Sequence, residues 1–267
     1  MRPMSIRETA ALAALCMDYE SGEVYYGKNA DLALPAASMT KVMAGYLVFD
    51  EIASGTLALD SYVTASEYAS DISSDPEYSG YERLKAGGRY PVDTLLRLVF
   101  TASCNGSMIA LAENIAGSEA AFVERMNIRA LALGIDAHYA DCCGFIDRGN
   151  ACSPRAMALL ARRIIQDYPI ILRYTSLPGF DFQGEPYDST NQLLRNGSII
   201  GIDGLKTGTT DGAGYCFTGT AIRNGRRIIA VIMNASSYDT CMSECERLLE
   251  YGFACQRARE NLRLEDV

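Results

Sequence analysis

The sequence predicts a mixed α/β protein of the α+β kind, with an antiparallel sheet built from both chain ends and a helical block inserted between them. Three observations carry this expectation. Residues 10–28 read as an apolar run turning into a hairpin, and the stretch after Leu205 alternates with a period of two and contains a second hairpin turn. Residues 91 to about 166 instead carry helical spacing, with capping residues at its breaks. Residues 239–260 return to a helical pattern and close the chain.

Taken in order, residues 10–28 read as a hairpin: an apolar run, Ser21-Gly22 at the turn, then Val24, Tyr25 and Tyr26. Arg2 and Arg7 before the apolar run Thr9–Cys16 faintly imitate a secretory leader. Glu8 interrupts the approach, however, and Asp18 and Glu20 follow at once, so a buried strand fits better. A helix is expected from Ala36 to Ile52, anchored by Val42, Leu47, Val48 and Phe49. Residues 66–90, rich in Ser, Asp, Gly and Tyr, are expected to be irregular surface. Pro91 is expected to occupy the first position of a helix running to Phe100. Residues 105–133 are helical and alanine-rich, broken at Gly117-Ser118, and Ser153-Pro154 caps a helix to about Gln166. Near the end, Asn224-Gly225 joins two alternating runs, Cys216–Ile222 and Arg227–Met233, a strong hairpin signal.

Composition narrows the function. The 267 residues suffice for a large core, and 49% of them are apolar with 21% charged, as in ordinary globular proteins. A net charge of −9 with no basic stripe argues against a nucleic-acid partner. No stretch is long and apolar enough to span a membrane. Nine cysteines include the vicinal Cys142-Cys143 and the pair Cys241 and Cys245 one helical turn apart, but no C-x-x-C pair. Reduced, largely buried thiols are the expectation, with a disulfide involving Cys142 or Cys152 as the alternative. The single histidine, His138, has no carboxylate-histidine spacing and is read as structural, and Cys216 as core. One histidine also makes a Ser-His-Asp triad nearly impossible.

Three short patterns supply chemistry without one: Ser38-Met39-Thr40-Lys41, Ser103-Cys104-Asn105 and Lys206-Thr207-Gly208. Ser38 and Lys41, three residues apart at a helix start, share a face and make a nucleophile–base pair. The helix N-terminus offers free N–H groups to a developing oxyanion. Lys41 accepts the serine proton only when neutral; burial and a second cation nearby favour that form, and Lys206 is the candidate cation. Ser103 can relay a proton toward a leaving amine, and the Asn105 amide can bind a substrate carbonyl. Lys206 and Thr207 on a strand edge can hold a carboxylate, Gly208 clears room for an extended peptide, and Thr209 can offer a second oxyanion N–H. Each pattern alone is weak: a chain this long holds about one Ser-x-x-Lys by chance, and Ser103 or Asn105 could be plain helix caps. Their joint order and context make coincidence a poor account.

Around these motifs the sequence resembles the serine-type D-alanyl-D-alanine carboxypeptidases, the low-molecular-mass penicillin-binding proteins of peptidase S11 type. The likeness runs from about Ala10 to Phe253 and includes Pro35–Lys41, Leu84–Gly87, Ala112–Gly117, Phe122–Asn127, Leu133-Gly134, Thr190–Leu194, Gly204–Gly208 and Ala213–Cys216. The resemblance implies a β-lactamase/transpeptidase-like fold: a five-stranded antiparallel sheet flanked by helices, with a mostly helical subdomain. It implies one catalytic domain over 1–267, the sheet lobe from about 8–65 and 200–262 and the helical subdomain about 66–180. It further implies that Ser38 forms an acyl-enzyme, Lys41 acts as base, and Ser103 passes a proton to the departing D-alanine. Asn105, Lys206 and Thr207 would bind the substrate, a peptidoglycan stem peptide ending in D-Ala-D-Ala. β-Lactams would acylate Ser38 as covalent inhibitors, and no metal or organic cofactor is implied. The implied place is the bacterial cell envelope, outside the cytoplasm, with the leader trimmed from this chain. Membrane association would come only through the C-terminal β-domain and anchor of relatives, which are absent from it. Cys104 and Gly106 depart from the family pattern, which usually has a smaller residue and an Asp there. A serine β-lactamase shares the chemistry, but the Glu-x-Glu-Leu-Asn pattern that some use to activate water is missing. A non-catalytic wall-binding module on the same scaffold is the third reading.

Overall fold

The computed structural model describes residues 6–77, 82–145 and 149–265. Its main sheet is built from β1 (Ala13–Asp18), β2 (Val24–Lys28), β3 (Ile202–Thr210), β4 (Gly214–Arg223) and β5 (Arg226–Ala235). The spatial order is β3-β4-β5-β1-β2, antiparallel throughout, so the chain ends meet where β1 pairs with β5, Leu15 opposite Val231. Asn224 and Gly225 both take positive φ, 50° and 75°, which suits the tight turn joining β4 to β5.

Alternation divides the sheet between two cores. Leu15, Met17, Ile229, Val231 and Met233 face the helical block. Ala14, Cys16, Ile228, Ala230 and Ile232 face α9 (Tyr238–Glu265), whose Cys245, Leu248, Leu249 and Phe253 cover them. Both faces are thus dry, which is why β1 is buried along its whole length.

The helical block begins with α1 (Lys41–Ala53), buried from Lys41 to Phe49. The first helix was expected from Ala36; a 3-10 turn over Ala37–Thr40 precedes α1 instead, so Ser38 sits on the tighter turn. Residues 66–90 also depart from the irregular surface expected. They contain α2 (Glu67–Ser74), capped by the Ser66 side chain on the Ala69 N–H, and a short strand Arg89–Pro91 paired with Tyr62–Thr64. Only Ala69 and Ser73 of α2 are buried, too narrow an apolar stripe to register in so polar a stretch. Part of that segment, residues 78–81, lies outside the described residues. Pro91 ends the short strand, so α3 (Val92–Thr101) starts one residue later than expected.

Further along, α4 (Asn105–Ala116) and α5 (Glu119–Leu133) are separated where Gly117 adopts φ 82° and Ser118 caps the next helix. Next come α6 (Pro154–Asp167), capped by Ser153, then α7 (Ile171–Thr175) and α8 (Gln192–Asn196). All nine cysteines are free thiols, eight of them buried, and Cys216 is core as expected. Among the described residues no helix is long and apolar enough to cross a membrane.

Candidate active site

The three motifs come from three elements and converge at one end of β3. Ser38 lies on the 3-10 turn and Lys41 opens α1, three residues on and hence on the same side. Lys41 Nζ lies 2.9 Å from Ser38 Oγ and donates to the backbone carbonyl of Cys143 at 3.0 Å. The lysine is wholly buried, so its amine meets protein groups rather than bulk water.

Ser103 sits between α3 and α4 with φ 66°, a left-handed conformation that turns the chain sharply from one helix into the next. Its Oγ accepts a hydrogen bond from Lys206 Nζ at 2.9 Å, and Lys206 also donates to the Thr207 carbonyl at 3.0 Å. Burial, and after it the charge of Lys41, hold the Lys206 amine well below the usual lysine range. Asn105 is the first residue of α4; its buried Oδ1 has no hydrogen-bond partner among the described residues and is open to a donor.

On the strand side, β3 is an edge strand, as expected, and among the described residues pairs only with β4. Thr207 hydrogen-bonds Thr190 through their hydroxyls at 2.7 Å. Gly208 runs against the Ser38 turn; a Cβ there would fall 2.8 Å from the Ala36 carbonyl oxygen. Thr209 is exposed at the lip. A cavity of about 350 Å³ opens beside the turn, lined by Ala37, Gly144, Phe145, Thr210 and Gly212 among others.

One part of the site was not anticipated. The buried Asp141 carboxylate accepts the N–H groups of Cys143 (2.8 Å), Gly144 and Phe145 and the Asn150 amide (2.7 Å), and so shapes the loop that presents the Cys143 carbonyl to Lys41. Gly144, with φ 84°, passes so close that a Cβ would stand 1.9 Å from the Ala37 carbonyl oxygen. An Asp three residues before a glycine was the sequence signal available, and it marks a turn rather than a site. His138 is exposed, with Nδ1 3.2 Å from the Gly149 carbonyl oxygen. No group of three or more His, Cys, Asp or Glu able to hold a metal ion occurs among the described residues.

The model of the D-alanyl-D-alanine carboxypeptidase family, peptidase S11, matches residues 2–237. The chain belongs to this family. Among S11 relatives, the D-alanyl-D-alanine carboxypeptidase DacF of Bacillus subtilis is 30% identical over 249 residues, covering 91% of this chain. The chain spans only 62% of DacF's own length. Penicillin-binding protein 5 of Haemophilus influenzae superposes with a TM-score of 0.89 at 31% identity, over 94% of this chain and 73% of its own. The cefotaxime-bound penicillin-binding protein D2 of Listeria monocytogenes gives a TM-score of 0.84 at 32% identity, over 94% of this chain and all of its own. The expected fold, an antiparallel five-stranded sheet flanked by helices, is the fold of these penicillin-binding neighbours.

Proposed function

We propose that this chain is a serine D,D-carboxypeptidase that removes the terminal D-alanine from peptidoglycan stem peptides ending in D-Ala-D-Ala. The observation that carries the reading is the pair of lysine–serine contacts in one cleft, Lys41 with Ser38 and Lys206 with Ser103, each at 2.9 Å. Lys41 takes the proton from Ser38 Oγ as that oxygen attacks the carbonyl of the penultimate D-alanine. Backbone N–H groups of Ser38 and Thr209 receive the oxyanion. Ser103 passes the proton taken by Lys41 on to the leaving nitrogen; the C–N bond breaks and D-alanine departs. Asn105 holds the peptide, while Lys206 and Thr207 bind the terminal carboxylate. That carboxylate draws the depressed Lys206 amine back toward its charged form. Water then hydrolyses the ester on Ser38.

β-Lactams mimic the scissile dipeptide and acylate the same oxygen, a reading supported by the cefotaxime-bound relative. The substrate places the enzyme in the cell envelope. Incubation with an acyl-D-Ala-D-Ala tripeptide should release free D-alanine, and penicillin should add one stable mass that maps to Ser38. Ser38→Ala should abolish both. Folded wild-type protein that releases no D-alanine overturns the proposal. Rapid turnover of penicillin would instead favour a β-lactamase, and undiminished biological activity of Ser38→Ala a binding module.

A further inference from the structure

A carboxyl buried behind the second motif has no part in the chemistry just described. Glu82 is 1% exposed, and its Oε1 accepts the backbone N–H of Ser107 at 2.6 Å from 25 residues away. Ser107 is the third residue of α4, the position whose N–H a capping side chain ordinarily satisfies. Cys104 holds the cap position and makes no side-chain cap hydrogen bond. Glu82 therefore caps α4 from another segment. Gly106 leaves room for this: a Cβ there would come 3.0 Å from Glu82 Oε1 and 2.5 Å from the Ala69 carbonyl oxygen.

The cap matters because of what adjoins it. Ser103, one residue before the cap position, holds a left-handed φ of 66° that costs roughly 1–2 kcal/mol for a residue with a Cβ. Such a conformation persists only where its surroundings hold it. On its N-terminal side the Ala102 N–H is tied to the Leu98 carbonyl at 3.2 Å; on its C-terminal side the Cys104 N–H is tied to the same carbonyl at 3.1 Å and the first turn of α4 to Glu82. Burial pushes the Glu82 carboxyl up to about 7. Keeping a carboxyl in so dry a place is costly unless the contact it makes is used.

We infer that Glu82 is a positioning residue: by accepting the Ser107 N–H it pins the start of α4 and keeps Ser103 Oγ at Lys206, ready to protonate the leaving group. The inference rests on the carboxypeptidase reading above, and its test separates the two. Two substrates are compared, an acyl-D-Ala-D-Ala peptide and its analogue with sulfur in place of the scissile amide nitrogen. The amide must be protonated to leave, whereas the thiolate leaves without a proton. Glu82→Ala should lower kcat/KM for the peptide at least ~10-fold, part of the 10²–10⁴ that general acid–base catalysis supplies, and for the thioester less than ~3-fold. Glu82→Gln keeps an acceptor oxygen and should restore the peptide to within ~3-fold of wild type. The ratio of the two substrates does not depend on the fraction folded, and Glu82→Leu, which fills the space without an acceptor, should show the same ratio if Glu82→Ala does not fold. Equal losses on both substrates, or none on either, overturn the inference. Wild-type protein inert toward both substrates overturns the carboxypeptidase reading and this inference with it.

Discussion

The Cys143 carbonyl oxygen accepts a hydrogen bond from Lys41 Nζ at 3.0 Å, across 102 residues of sequence. With Ser38 Oγ at 2.9 Å on its other side, the amine is aimed by one side chain and one backbone group. A carbonyl directs the amine without placing a second charged group beside it.

The loop that carries this carbonyl depends on Asp141. Asp141→Ala orphans buried N–H groups at about 1–3 kcal/mol each, so a loss of about 3 kcal/mol in urea unfolding is expected. Penicillin acylation should slow at least ~10-fold. Cys143→Ala, which retains the backbone acceptor, should slow acylation much less. Equal slowing by the two would assign the effect to the thiol.

Gly144 lies against the Ser38 turn with no space for a methyl group. Gly144→Ala meets a positive φ and a backbone oxygen 1.9 Å away. A destabilisation of at least ~2 kcal/mol is expected from strain alone. Thermal and urea unfolding check it, and a near-neutral result would mean that the loop and turn separate easily.

Lys206 burdens the fold while serving the site. Its folded pKa lies below the unfolded value of about 10.4, so between the two the unfolded chain binds more protons and stability rises with pH. The penalty is full below the folded value and gone above ~10.4. Lys206→Met should therefore be more stable than wild type near neutrality, by roughly 1–2 kcal/mol, while losing peptide turnover. The advantage should shrink toward pH 10. A Lys206→Met protein that is less stable at pH 7 would show that the Ser103 hydrogen bond outweighs the buried amine.

Glu82 gives the opposite slope. With its carboxyl raised from 4.5 to about 7, the folded chain binds the extra proton between those values. The resulting stability is full below about 4.5 and lost as pH rises through 7. Glu82→Gln should match wild type near pH 4.5 and exceed it at pH 8, by on the order of 3 kcal/mol at the limit. Urea unfolding at both pH values measures this; an advantage confined to acid pH would contradict it.

Much of the architecture was readable in residues that act locally. Asn224-Gly225 turned the last hairpin between two strands, and Ser118 and Ser153 capped their helices. The two residues of α2 that reach the core were too few to declare a helix, and Pro91 served strand and helix at once. The side chains of the proposed site were legible because nucleophile, base and carboxylate-binding cation are distinct residue types at short spacings.

By itself the sequence determined most strands of the main sheet and most of the longer helices, since periodicity, caps and turn residues act over a few positions, and its short motifs named the candidate side chains. Only the tertiary structure decided that a backbone carbonyl at Cys143 aims Lys41, and that Glu82 caps a helix beginning 23 positions later. A carbonyl is the same at every residue, and a cap supplied from a distant segment depends on how α2 and α4 pack. Neither leaves a pattern in the order of the amino acids.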